Sequence, residues 1–225
     1  MWWPAVIVVA AVVVGADARA PFGDVLGVSH GGVQVRSCHT ESPEAYREAL
    51  RAGDPKYHAF LGDVFTGFQW QCVELARRYL VVNAGVAFDD VVNAYQIWDL
   101  DGVRRVADGE RVAWRRFANG SRVRPEIGSL LIWRPAGFYE RTGHVAVVVA
   151  VGDAFVDIVE QNVDDTVWEP GQTYSRRLKA RSDAGSFTVV DDYDGDVIGW
   201  IIMSIVTTER APAYDDESDM DRDEL

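Results

Sequence analysis

The chain has 225 residues, 48% of them hydrophobic, and a formal net charge of -13, with a pI of ≈ 4.7. That is enough for one well-buried domain and short for two. The acidity argues against nucleic-acid binding and makes a cationic small molecule an easier ligand than an anionic one.

In chain order, Pro4 to Ala16 is an apolar run ending in Ala18-Arg19-Ala20, a small-x-small cleavage pattern. We read residues 1–20 as a signal peptide cleaved after Ala20. The run is shorter than the ~20 residues of a spanning helix. No Lys or Arg precedes it, so an uncleaved membrane anchor is the alternative. Residues 21–208 are expected to form the folded domain, with no membrane span after cleavage.

Val25-Leu26-Gly27 and Gly31-Gly32-Val33-Gln34-Val35 read as a covering hairpin, and Ser42-Pro43-Glu44 as the start of a short capped helix reaching Leu50. The next helix organises the rest. Val73, Ala76, Tyr79, Leu80 and Val82 follow a helical period, and Asn83-Ala84-Gly85 supplies the stop, so Cys72 falls in the first turn. The unpaired N–H groups and the positive end of the helix dipole favour an anion there, which makes Cys72 a candidate nucleophile.

Asn93 to Trp98 suggests a further helix, and 101–128 reads as turn-rich. Asn119-Gly120-Ser121 is either a glycan acceptor or a turn. From Ser129 the texture changes to strands: 129–133, 143–149, 155–162, 187–190 and 197–203. Helices followed by an antiparallel sheet indicate an α+β domain, with the cysteine helix packed on the sheet.

Of the four histidines, His144 alone heads a strand, directly after Gly143, and is the candidate base. Its face runs His144, Ala146, Val148, and those small residues would leave room for the cysteine helix to pack across. Glu160 shares the His144 face only if the hairpin loop is odd or a bulge intervenes, since an ordinary two-residue turn sends it to the other side. On the same side, Glu160 orients one ring nitrogen while the other faces Cys72. The Cys72 backbone N–H and the Gln71 side chain are the candidate oxyanion donors. Nothing in this set calls for a metal or a cofactor.

Gln71-Cys72-Val73-Glu74-Leu75-Ala76-Arg77-Arg78, Thr142-Gly143-His144-Val145-Ala146 and Glu160-Gln161-Asn162 resemble the motifs of the cysteine, histidine-dependent amidohydrolase/peptidase (CHAP) domain. More narrowly, they resemble the amidase domain of the bifunctional glutathionylspermidine synthetases/amidases, a likeness that extends over about residues 20–205. The resemblance implies a papain-like fold and hydrolysis of a glutathione–polyamine conjugate to glutathione and spermidine. In it Cys72 is the nucleophile, His144 the base and Glu160 the orienter, with Arg77 and Asn162 at positions tied to the family's site.

Two alternatives stay open: a CHAP peptidase or peptidoglycan amidase, and a non-catalytic domain sensing thiols or redox state through Cys38 and Cys72. A Cys38–Cys72 bond would switch the nucleophile off. Seven acids between Asp215 and Glu224 mark residues 209–225 as a disordered acidic tail. It ends in Arg222-Asp223-Glu224-Leu225, which resembles the retrieval address of the endoplasmic reticulum lumen and implies a retrieval receptor as partner.

Overall fold

The computed structural model describes residues 19–203. The apolar run of the expected signal peptide and the acidic tail with its terminal Arg-Asp-Glu-Leu lie outside the described residues. Ala20, assigned by the cleavage pattern to the removed segment, is packed into the body. Its N–H donates to Asp165 O at 2.9 Å and its carbonyl accepts from Ser37 Oγ at 2.7 Å. Among the described residues no helix is long and apolar enough to cross a membrane.

Two short pieces precede the main helix. The expected hairpin is β1 (Val25–Val28) and β2 (Gln34–Arg36), and α1 (Pro43–Ala52) follows. Pro43 sits in the first turn of α1, where its missing N–H costs nothing, and Gly53 closes the helix in the left-handed conformation. A second hairpin, β3 (His58–Leu61) and β4 (Val64–Phe68), then delivers the chain to α2 (Cys72–Ala84).

The remaining strands are β5 (Val86–Phe88), β6 (Gly102–Arg105), β7 (Arg111–Ala118), β8 (Leu130–Trp133), β9 (His144–Val151), β10 (Phe155–Val159), β11 (Arg176–Asp183), β12 (Ser186–Val190) and β13 (Val197–Met203). They form one antiparallel sheet in the order β12-β11-β10-β9-β8-β13-β7-β6-β5. The fold is α+β, as the order of helices and strands implies, but the sheet is larger than expected. The region read as turn-rich contains β6 and β7, and β11 was not anticipated. The segment expected as a helix at 93–98 is a 3₁₀ stretch, Ala94–Asp99, begun by a capping box between Asn93 and Gln96.

The sheet closes on itself. Beyond β7, Gly120 N–H donates to Phe187 O at 2.9 Å and Phe187 N–H to Ser121 O at 2.8 Å, joining the turn to the edge strand β12. The Asn119 amide bridges both backbone groups of Val189, donating to its carbonyl at 2.9 Å and accepting from its N–H at 2.8 Å. Strands β7 to β13 thereby form a barrel, and closure removes an exposed edge. Asn119 is thus a turn residue that seals the barrel, its amide held against Val189.

Alternation along the strands produces two cores. Leu131, Ala146, Val148, Ile158, Leu178, Phe187 and Trp200 fill the barrel. Leu130, Ile132, Val145, Val147 and Ile201 face outward and pack with Leu75, Ala76, Tyr79 and Leu80 of α2. The cysteine helix therefore lies across the odd-numbered face of β9, not across the Ala146 and Val148 face expected from sequence, which is the barrel interior.

The Asn119 bridge has a measurable stability. Asn119→Ala removes both bonds and leaves the Val189 groups unsatisfied, so urea unfolding of this variant is expected to show about 1–3 kcal/mol less stability than the parent.

Candidate active site

Cys72 is the first residue of α2, and Gln71 is the extended residue before it. An amide in the first turn has no intrahelical acceptor, so the Cys72 N–H points out of the helix end beside the side chain that follows it. Both Cys72 and Cys38 are free thiols.

His144 opens β9 at one end of the barrel, paired across the ladder with Trp133. Gly143 makes this position attainable. Its φ of 60° lies in the left-handed region, and a Cβ there would stand 2.4 Å from Trp133 O, so only glycine delivers the chain into the strand at this point. Because His144 is at the end of its strand, its ring reaches the helix terminus although the rest of its face looks into the barrel.

The hairpin from β9 to β10 has a two-residue turn at Asp153-Ala154, with Gly152 N–H bonded to Phe155 O at 2.9 Å. Such a turn alone would have placed Glu160 on the wrong side. The pairs Asp157 with Ala150 and Ile158 with Val148 show a bulge that leaves Val149 over, and this extra residue restores the parity. Glu160 then meets His144, with Oε2 at 2.9 Å from Nε2. The other ring nitrogen, Nδ1, is left for Cys72, which lies near enough to bear on the charge of the ring.

The site is buried: Cys72 is 8% exposed, His144 2% and Glu160 5%. Burial works against a charged ring, but Cys72 and the Glu160 carboxylate beside it together raise the pKa of His144 from 6.5 to about 9. Burial likewise opposes ionisation of Glu160, while His144 and Arg176 hold its pKa below the ordinary value.

Four further residues surround this pair, and sequence reasoning missed their part in it. Arg176 Nε donates to Glu160 Oε1 at 2.7 Å, and Nη2 donates to Oε2 at 3.2 Å. Arg176 also donates to Asp191 Oδ1 at 2.6 Å and to the Tyr139 hydroxyl at 3.0 Å. Tyr139 stacks on the imidazole with ring centroids 4.5 Å apart. Trp133, whose ring centroid is 5.2 Å from that of His144, donates to Asp191 Oδ2 at 3.0 Å. A signal for Arg176 did exist. Arg176, Leu178 and Ala180 alternate with Arg177, Lys179 and Arg181, which is the period of a strand with one buried face.

Gln71 and Asn162 come together at the helix terminus. Asn162 Nδ2 donates to Gln71 Oε1 at 2.8 Å, and Gln71 Nε2 donates to the Tyr46 hydroxyl at 2.9 Å. The Gln71 amide is thus clamped from both sides, with one N–H remaining. Cys38 closes the group, its thiol donating to Asn162 Oδ1 at 3.0 Å. Burial, together with the charges of Asp165 and Cys72, pushes the Cys38 pKa up to about 12, so this second thiol stays protonated.

Arg77 is not at the site. Its guanidinium is buried on another side of α2, donating to Phe88 O at 3.0 Å, Thr66 O at 2.8 Å and Asp90 Oδ1 at 3.1 Å. It pins the helix to β4 and to the end of β5. A helix enclosed on all sides has no solvated face for either arginine. Arg78 accordingly pairs with buried Glu74 at 2.7 Å, and Gln161 donates to the same carboxylate at 3.1 Å.

Residues 63–162 match the CHAP domain, a span that encloses Cys72, His144 and Glu160. The chain therefore carries a region similar to the CHAP domain, and that region holds all three residues of the site. It is 36% identical over 196 residues to the bifunctional glutathionylspermidine synthetase/amidase of Escherichia coli (strain K12), covering 86% of this chain and 31% of that protein. Trypanothione synthetase of Crithidia fasciculata is 34% identical over 187 residues, covering 81% of this chain and 27% of its own length. The chain thus spans less than a third of the length of these relatives. A solved structure described as Ly7917 with the hydrolyzing product of MDP is 22% identical and covers 59% of this chain and 53% of that one, with a TM-score of 0.34.

The elevated His144 pKa has a sign that can be checked. A proton held more tightly in the folded state contributes stability that is fully present below the unfolded value of 6.5 and is lost as pH rises through about 9. NMR titration of the His144 ring protons is expected to give a midpoint near 9, and Glu160→Gln is expected to lower it.

Proposed function

We propose that this chain is a cysteine amidase that hydrolyses glutathionylspermidine, or a related glutathione–polyamine conjugate, through an acyl-enzyme on Cys72. The observation that carries this reading is a cysteine at a helix N-terminus joined through a buried imidazole to a buried carboxylate.

In this mechanism Cys72 Sγ attacks the amide carbonyl carbon, having given its proton to His144. The developing oxyanion accepts hydrogen bonds from the Cys72 N–H and from the remaining Nε2 hydrogen of Gln71, each good donor contributing roughly 3 kcal/mol. Asn162 and Tyr46 keep that amide in place. His144 then donates its proton to the departing amine, the C–N bond breaks, and glutathione remains as a thioester on Cys72. Water attacks the thioester as His144 takes up its proton, which returns to Cys72 as the acid leaves. Glu160 stays ionised throughout and fixes the ring.

The polyamine half of the reading is supported by a cleft of about 240 Å³ beside Glu160 and Arg176. Asp164 and Glu169 stand in its wall together with Trp168 and Tyr193. Glu160, in the same lining, is bonded to the His144 ring, so the cleft lies beside the carboxylate that orients the base. Carboxylates and aromatic faces both suit a flexible polycation. The named activity of the Escherichia coli relative agrees with this substrate.

Release of spermidine from glutathionylspermidine by the full chain under reducing conditions is the direct assay. The parent is expected to release it and Cys72→Ala to release none. If the parent alkylates rapidly at Cys72 but releases no spermidine, the site acts on another amide. Paired substitution Asp164→Asn and Glu169→Gln is expected to raise KM for the polyamine conjugate about tenfold, corresponding to roughly 1.4 kcal/mol. A matched glutathione amide with a neutral amine should show no such change.

A further inference from the structure

Arg176 holds the groups that surround the His144 ring on the side away from Cys72. It grips both oxygens of Glu160, at 2.7 and 3.2 Å, and Glu160 is the carboxylate bonded to the ring. It donates to the hydroxyl of Tyr139, whose ring lies parallel to the imidazole within 5°. Through Asp191, at 2.6 Å, it is linked to the Trp133 indole N–H on the flank of His144. A cation needed only to neutralise Glu160 would not require a phenol and a second carboxylate as well.

The groups facing this assembly come from separate elements. Cys72 comes from α2, Glu160 from the end of β10, Arg176 from β11, and Asp191 from beyond β12. Tyr139 belongs to the turn between β8 and β9, and Cys38, in the segment after β2, lies near enough for Cys72 to bear on it. With the Cys72–His144 ion pair formed, the charges along Cys72, His144, Glu160, Arg176 and Asp191 alternate in sign.

We propose that Arg176 is a positioning residue of the amidase reaction, fixing Glu160 and Tyr139 around His144 and sharing the charge of Glu160 so that the imidazolium gives up its proton to the leaving amine. This rests on the roles assigned above to Cys72, His144 and Glu160. Without Arg176 the whole charge of Glu160 acts on the ring, the imidazolium holds its proton to higher pH, and the general-acid step slows. Asp191 works in the opposite sense, because removing its negative charge leaves Arg176 bearing more strongly on the ring.

The test is the pH dependence of Cys72 alkylation by iodoacetamide in the full chain, which needs no substrate, together with kcat and KM for glutathionylspermidine hydrolysis. Arg176→Met is expected to move the alkaline step of the alkylation profile up by about one pH unit and Asp191→Asn to move it down. In Arg176→Met, kcat should fall at least about tenfold while KM stays within about twofold. Arg176→Lys keeps the charge without the fork, so it should restore the position of the step and only part of kcat.

A loss of kcat with the step unmoved would reduce Arg176 to a structural residue and overturn the proposal, as would parental behaviour in every respect. Should Arg176→Met fail to fold by circular dichroism, the step in Asp191→Asn decides, downward for the proposal and unmoved against it. Glu160→Gln separates the two levels. If it also leaves the step unmoved, the triad assignment fails; if it moves the step and the Arg176 and Asp191 variants do not, only the present proposal fails.

Discussion

A buried carboxylate stays ionised only when its lost hydration is replaced, because the uncompensated cost is several kcal/mol. Glu160 receives that compensation from two sides, the His144 ring and the Arg176 fork. The ring fixed in this way is the one that meets Cys72. Arg176 in turn is compensated by Asp191, and Asp191 by the Trp133 N–H. The arrangement terminates the apolar filling of the barrel with charges that satisfy one another.

The barrel is what makes such a set constructible. His144 begins β9, Glu160 follows the end of β10, Arg176 begins β11 and Asp191 follows the end of β12, so antiparallel order brings all four to the same end. Each faces the interior because each continues the alternation of its strand, and for Glu160 that depends on the bulge at Val149. The Asn119 bridge to Val189 closes the structure on the far side, keeping β12 and its Asp191 in register with the rest. Cys72 arrives from outside this wall, at the terminus of a helix that packs on the opposite face of the same strands.

Neighbouring residues divide the work of catalysis and folding. Glu160 turns to the barrel end and the reacting ring, while Gln161 turns the other way, onto Glu74 and Arg78 of α2. Asn162, next in line, adopts a φ of 64° and braces Gln71 beside the helix terminus. Three consecutive positions therefore tie the strand, the cysteine helix and the oxyanion-side amide into one rigid unit, which suits a site in which small displacements of the reacting groups are costly.

Much of this was legible in the chain itself. Helical spacing after Cys72, the Gly85 stop and the strand run after Gly143 place nucleophile and base on their elements, since those patterns depend only on local periodicity. The parity of His144 and Glu160 posed a definite question, an odd loop or a bulge, which spacing could frame and not answer. Arg77, assigned to the site by resemblance, reads nearly as well as a solvated charge beside Arg78, because a sequence does not say that β4 and β5 will enclose the helix. Arg176 shows in the sequence only as an inward position of a strand, and Tyr139 and Asp191 carry no site signal, for a related reason. They lie 16, 5 and 31 positions from the nearest of His144 and Glu160, measured as Arg176 from Glu160, Tyr139 from His144 and Asp191 from Glu160, and no local rule joins them. What the sequence determines is which residues carry reactive groups and which elements bear them. Which charges compensate which is decided by the closed sheet, because only tertiary packing brings strand ends together and removes the water that would otherwise have solvated them.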